Sequence, residues 1–117
     1  MQLLEPAHPV FNSPNKIGAS AWSGWVQERG VYFLDDDDRD SRYRDLVQME
    51  DPFPNNKGPK RGALVEASYG KGRWLYVGLG LWRELAAGVD GAYQLLANLI
   101  SLGKAQAAVT PATRRGQ

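Results

Sequence analysis

Two stretches with strand-like alternation flank a short glycine link. Gly62-Ala63-Leu64-Val65-Glu66-Ala67-Ser68-Tyr69 and Arg73-Trp74-Leu75-Tyr76-Val77-Gly78 lie on either side of Gly70-Lys71-Gly72. Glycine supplies the positive φ that a tight antiparallel turn requires, so the pattern predicts a β-hairpin over 63–69 and 73–78. Period-two reading of the second strand places Trp74, Tyr76 and Gly78 on one face and Leu75, Val77 and Leu79 on the other. Both faces are largely apolar, which predicts a central strand or a strand one of whose faces meets a partner.

Upstream, Val31-Tyr32-Phe33-Leu34 sits between Gly30 and an acidic cluster and reads as a buried strand. Tyr43 to Glu50, with Leu46, Val47 and Met49, reads as a further strand. Helical spacing occurs twice. Trp22, Trp25 and Val26 share one face of a short helix over Ser20 to Arg29, capped by Ser20 and weakened by Gly24. Ala92, Leu95, Leu96, Leu99, Ile100 and Leu102 follow helical periodicity over 91–102, with Asp90 as N-cap and Gly103 as a stop, and one face of this helix is expected to pack on the sheet. Pro6, Pro9 and Pro14 mark residues 1–19 as an extended lead-in that must lie on something. Asp51 to Gly62, rich in proline, asparagine and glycine, is a loop. Residues 104–117 lack a core pattern and read as a polar tail. The expectation is one α/β domain over 20–103, with a mixed sheet of about four strands, a central hairpin and a C-terminal helix.

Composition narrows the function classes. At 117 residues the chain can bury one core but not two. A net charge of +1 offers no broad field for nucleic acid or an anionic bilayer, so neither is an expected partner. The absence of cysteine removes disulfides, thiolate metal sites and a Cys nucleophile. No segment approaches the apolar length of a membrane span, which predicts a soluble protein, cytoplasmic or periplasmic, that meets a membrane only through a partner. Four tryptophans and five tyrosines supply more bulky amphipathic surface than a small core needs, and such side chains favour interfaces.

Candidate chemistry is sparse. Asp35 to Asp38 with Asp40 could gather around calcium, but the run lacks the central glycine and terminal glutamate of an EF-hand and reads as a solvated turn. His8 is the only histidine, and none of Ser13, Ser20 and Ser23 lies in a Gly-x-Ser-x-Gly elbow. The lysine between Gly70 and Gly72 joins two strands instead of preceding a helix, so it is not a phosphate loop. Gln27, Glu28 and Arg29, with Tyr32, form a polar island that could line a pocket or hold the helix-to-strand junction. Trp74, Tyr76 and Trp82, with Arg73 and Arg83, could stack on bases or sugars, or pack against another protein. No catalytic residue, metal site or cofactor is expected. The expected interface comprises Trp74, Tyr76, Trp82 and Arg83 with Arg114 and Arg115 of the tail.

His8-Pro9-Val10, Pro14 to Gly18, Trp22 to Phe33, Tyr69 to Leu79 and Leu85 to Leu102 together resemble a known module. It is the class I glutamine amidotransferase-like domain, related to ThuA-like domains, found C-terminal to the deacetylase domain in some bacterial PIG-L (LmbE-like) proteins. The resemblance implies a flavodoxin-like layer fold of which this chain retains the C-terminal portion. It also marks what has departed. His8-Pro9 continues into Val10-Phe11 where the deacetylase zinc motif has a His-Pro-Asp-Asp type sequence, and the amidotransferase cysteine is missing. The expected function is therefore a non-catalytic accessory or scaffolding subunit contacting other protein subunits. The alternatives are a small-ligand or carbohydrate-binding domain, or a subunit complementing a separately encoded PIG-L-type deacetylase.

Overall fold

The computed structural model describes residues 1–27, 29–35, 38–51, 54 and 57–104. The chain is a mixed α/β protein with the order β1 (Gln2–Leu3), two 3-10 turns (Pro9–Phe11 and Ala19–Trp22), β2 (Arg44–Asp45), β3 (Val47–Gln48), β4 (Leu64–Tyr69), β5 (Gly72–Val77), α1 (Leu81–Ala86) and α2 (Asp90–Ile100). The expected hairpin is present: β4 and β5 pair antiparallel from Leu64↔Val77 to Tyr69↔Gly72, and Gly70 takes φ +58° at the turn. The expected sheet divides into two, with strand orders β1-β3 and β2-β4-β5, and every pairing among the described strands is antiparallel. The central strand is therefore β4, and β5 lies at an edge, so the first of the two placements expected for it, at the centre of the sheet, does not hold.

The division happens at one residue. The run from Tyr43 to Glu50 breaks at Leu46, whose N–H donates to the Leu64 carbonyl while its own carbonyl accepts from Leu4. Leu46 is fully buried, so the chain passes through the core as it leaves one sheet for the other. This passage brings the lead-in into the domain. Val10, Phe11 and Ile17 are core residues beside Leu46, Leu64, Ala92 and Leu95. The lead-in does find something to lie on, and it contributes to the core it covers.

Two local expectations fail for tertiary reasons. Val31 to Leu34 forms no strand: a single bridge, Gly30↔Leu79, and a hydrogen bond from Leu34 N–H to the Gly62 carbonyl hold it across the end of the sheet. The crossing is so close that a Cβ on Gly78 would overlap the Tyr32 carbonyl. Strand propensity is context-dependent, and here the tertiary placement of the segment overrides it. The helix expected over Ser20 to Arg29 shortens to the 3-10 turn Ala19–Trp22, because Ser23 is extended at ψ 141° and Gly24 then adopts φ +77°. Trp22 and Trp25 nevertheless meet at 5.2 Å between ring centroids, and the Trp25 indole donates to the Ala21 carbonyl at 2.9 Å.

Helix α2 begins at Asp90, with Val89 as its N-cap, one residue earlier than expected. Gly91, Ala92, Leu95 and Asn98 form its buried face, whereas Ile100 faces outward. Gly91 lies against the 3-10 turn so tightly that a Cβ there would overlap the Ala21 carbonyl. Gly91→Ala should consequently destabilise the protein by about 1–3 kcal/mol through overpacking, despite alanine's advantage of about 1 kcal/mol inside a helix. Urea unfolding of the two proteins measures this, and equal or greater stability of the variant would refute the close approach.

Candidate functional site

On the outer face of the three-stranded sheet, three neighbouring positions form a row. Ala67 pairs with Trp74 across β4 and β5, and extending the Arg44↔Glu66 register by one residue sets Tyr43 on the other side of Ala67. The alanine is too small to fill the row. The Tyr43 and Trp74 rings therefore meet above it, edge to face, with centroids 5.6 Å apart and planes at 77°. Such a pair contributes about 0.5–1.5 kcal/mol beyond the area it buries. Each ring stays accessible, with Trp74 42 % exposed.

The pair is a ridge between two clefts. One, of about 350 Å³, is lined by Leu34, Asp35, Asp38 and Arg39 together with both rings. The other, of about 430 Å³, is lined by Arg42, Ala67, Ser68 and Tyr69 together with both rings. Ion pairs shape the surroundings. The Arg39 fork donates to both Asp45 oxygens, at 2.8 and 3.3 Å, with both side chains largely buried, while Asp45 Oδ1 also accepts from the Gly62 N–H. This clamp ties the chain after the acidic run to the sheet. Arg42 donates to Asp40 from its side chain and its backbone, and these hydrogen bonds, the side-chain one foremost, hold the Asp40 carboxyl at about 2.

The opposite face of β4 carries a buried charge network. Glu66 Oε2 accepts from His8 Nε2 at 2.7 Å and from Arg73 Nε at 3.1 Å, and its Oε1 accepts from Arg44 Nη2. Burial alone would raise the Glu66 carboxyl, but the hydrogen bonds from Arg44 and His8 and the nearby Arg73 charge outweigh it and hold it below the usual glutamate range. The Val10 N–H donates to His8 Nδ1. That nitrogen therefore carries no proton, and Nε2 supplies the one shared with Glu66. Both ring nitrogens are thus engaged within the protein. Ser68 lines a small cleft beside Glu66 with Arg42, Arg44 and Ala67.

Of the expected interface residues, Trp74 lines both clefts, and Tyr76, Trp82 and Arg83 line neither. Trp74 forms the ridge, and Tyr76 shares its face but its hydroxyl donates to the Tyr32 carbonyl at 3.0 Å. Trp82, 66 % exposed, stands on α1 with the Arg83 guanidinium 4.5 Å over its ring, outside the lining of either cleft. Arg114 and Arg115 lie outside the described residues, as do Glu28, Asp36 and Asp37. Of the remaining pocket candidates, Arg29 donates from its guanidinium to the Gln27 carbonyl at 3.2 Å, but Gln27 and Tyr32 do not join it in lining its cleft. Gln27 is exposed at φ +56°, Tyr32 is 77 % exposed, and Arg29 also bonds buried Asp51 through its backbone N–H and lines a separate cleft with Met1, Trp22, Glu50 and Lys57.

Sequence reading missed Tyr43, Ala67 and the His8–Glu66 pair. The one available signal was Glu66 itself, a charge inside the otherwise apolar run Leu64 to Ala67, since a buried charge needs partners. Among the described residues, no group of three or more histidine, aspartate or glutamate side chains is placed to hold a metal ion, and no helix is long and apolar enough to cross a membrane. Comparison of the chain with family models, with curated proteins and with solved structures finds no match.

Proposed function

We propose that this chain is a non-catalytic protein-contact module, an accessory or scaffolding subunit that binds other polypeptides through the outer face of β2-β4-β5. The observation that carries the reading is the Tyr43–Trp74 pair, held over Ala67 with a cleft on each side. Accessible tyrosine and tryptophan at the centre of a patch are the side chains that dominate binding energy in protein interfaces, because they bury large area at little cost in rotamer entropy. The rim suits the same role: Arg39, Arg42, Ser68 and Tyr69 present polar groups around the rings. The engaged state of both His8 nitrogens supports a non-catalytic reading as well.

The sequence resemblance to the domain that accompanies PIG-L-type deacetylases suggests one partner to try, a separately encoded deacetylase. A small-ligand or carbohydrate site on Gln27, Glu28, Arg29 and Tyr32 finds less support, since the described members of that set face different surroundings. The test is size-exclusion chromatography with light scattering on native extract, with mass spectrometry of co-eluting chains. The wild type should elute with a protein at fixed stoichiometry, and Trp74→Ser or Tyr43→Ser should deplete that protein about tenfold, a change of about 1.4 kcal/mol. A wild-type monomer, or a complex indifferent to both substitutions, would overturn the reading.

A further inference from the structure

We propose that the two clefts beside Tyr43 and Trp74 accept an extended peptide segment bearing a lysine or arginine, with its cationic side chain in the cleft lined by Asp35 and Asp38. This rests on the protein-contact reading above and names the chemistry of the partner segment.

Charge complementarity selects a cation. The first cleft is lined by Asp35 and Asp38 against a single guanidinium, Arg39, and that group is matched by Asp45 at 2.8 Å. By formal charge the lining therefore carries an excess of carboxylate, two against one guanidinium. Tyr43 and Trp74 line the same cleft, and aromatic rings attract an ammonium or guanidinium, more strongly where water is partly excluded. A phosphate-bearing strand would meet the same carboxylates as repulsion, which disfavours nucleic acid.

The shape selects an extended chain. The clefts share one ridge and are open to solvent, so a compact molecule occupying one would leave the other empty. A segment lying across the ridge can place alternate side chains on its two sides. In the second cleft, Arg42 is held by Asp40, and Ala67, Trp74 and the highly exposed Tyr69 provide an apolar floor and wall. That surface fits proline or an aliphatic residue, as in the aromatic grooves that bind pre-extended proline-rich segments at low entropic cost.

The experiment titrates the isotope-labelled full chain with a nonapeptide of Pro-Pro-Arg repeats and, separately, its Pro-Pro-Glu counterpart, following the Trp74 indole N–H and the Ser68 amide by NMR. The arginine peptide should shift both signals saturably, more weakly at high salt as screening shortens the reach of the carboxylates, and the glutamate peptide should not. Asp38→Asn, an exposed and conservative change, should weaken the arginine peptide about fivefold with little effect on folding. Equal response to both peptides, preference for the glutamate peptide, indifference to Asp38→Asn, or a matching response to a single-stranded oligonucleotide would each overturn the proposal. If neither peptide binds while a native complex still depends on Trp74, the basic-segment inference falls and the protein-contact reading stands. If no such complex exists either, both fall.

Discussion

Glu66→Leu should lower the unfolding free energy by about 3–5 kcal/mol, because removing one member of a buried charge network strands the others. Arg44 is half exposed and can return to water, but His8 cannot, and Arg73 keeps a terminal nitrogen that is already buried without a partner. The loss would be a large share of the stability of an ordinary domain. Glu66→Gln retains an acceptor and removes only the charge, so it should cost less. The pH dependence separates charge from packing. The folded-state carboxyl of Glu66 is lowered, so its charge-dependent stabilisation is complete above the unfolded glutamate value of about 4.3 and is lost as the pH falls through the lower folded value. In urea unfolding, the gap between wild type and Glu66→Gln should be constant from neutral pH to about 5 and should close in more acidic solution. A gap unchanged at the acidic end would show that charge is not its source.

Asn98→Leu should be comparably damaging, at about 3 kcal/mol, since it keeps the branching and heavy-atom count of the asparagine side chain but deletes a set of bonds that nothing else in the core can supply. Asn98 is fully buried on α2. Its Nδ2 donates to the carbonyls of Val10 at 2.8 Å and Asn15 at 2.7 Å, and its Oδ1 accepts from the Asn15 N–H at 2.9 Å. The substitution would leave these backbone groups buried or half-buried without partners. A loss of this size in a domain near 100 residues corresponds to a fall in Tm of about 10–20 °C. Hydrogen exchange gives the local signature: the Asn15 amide should lose protection while the β4–β5 ladder keeps its own. Uniform loss of protection would mean that Asn98 supports the whole domain, and no loss would mean that the lead-in is held by other contacts.

Both residues show how far the sequence could be read. The β4–β5 hairpin and α2 were legible because their causes are local. Gly70 and two alternating apolar runs specify a turn and its strands, and apolar spacing from Ala92 to Leu99 specifies a helix face. Asn98 was passed over because it occupies a helix face position like any other, and its partners lie 83 and 88 residues away. The candidate site was half legible. Trp74 stood out by type and phase, whereas Tyr43 belonged to a run that reads as one strand until Leu46 is seen to enter the core.

The chain's own residue order determined the α/β class, the hairpin, the C-terminal helix and the surplus of aromatic side chains. Tertiary structure alone decided that the strands form two antiparallel sheets, that β5 lies at an edge, that Val31 to Leu34 crosses a sheet end, and that His8 meets Glu66 from 58 residues away. The physical reason is the range of the interactions. Turn geometry and periodicity are set within a few residues, while edge, partner and burial are set by which distant segment packs at each surface. The Tyr43–Trp74 ridge belongs to the second kind, for it exists only where β2 and β5 flank an alanine on the strand between them.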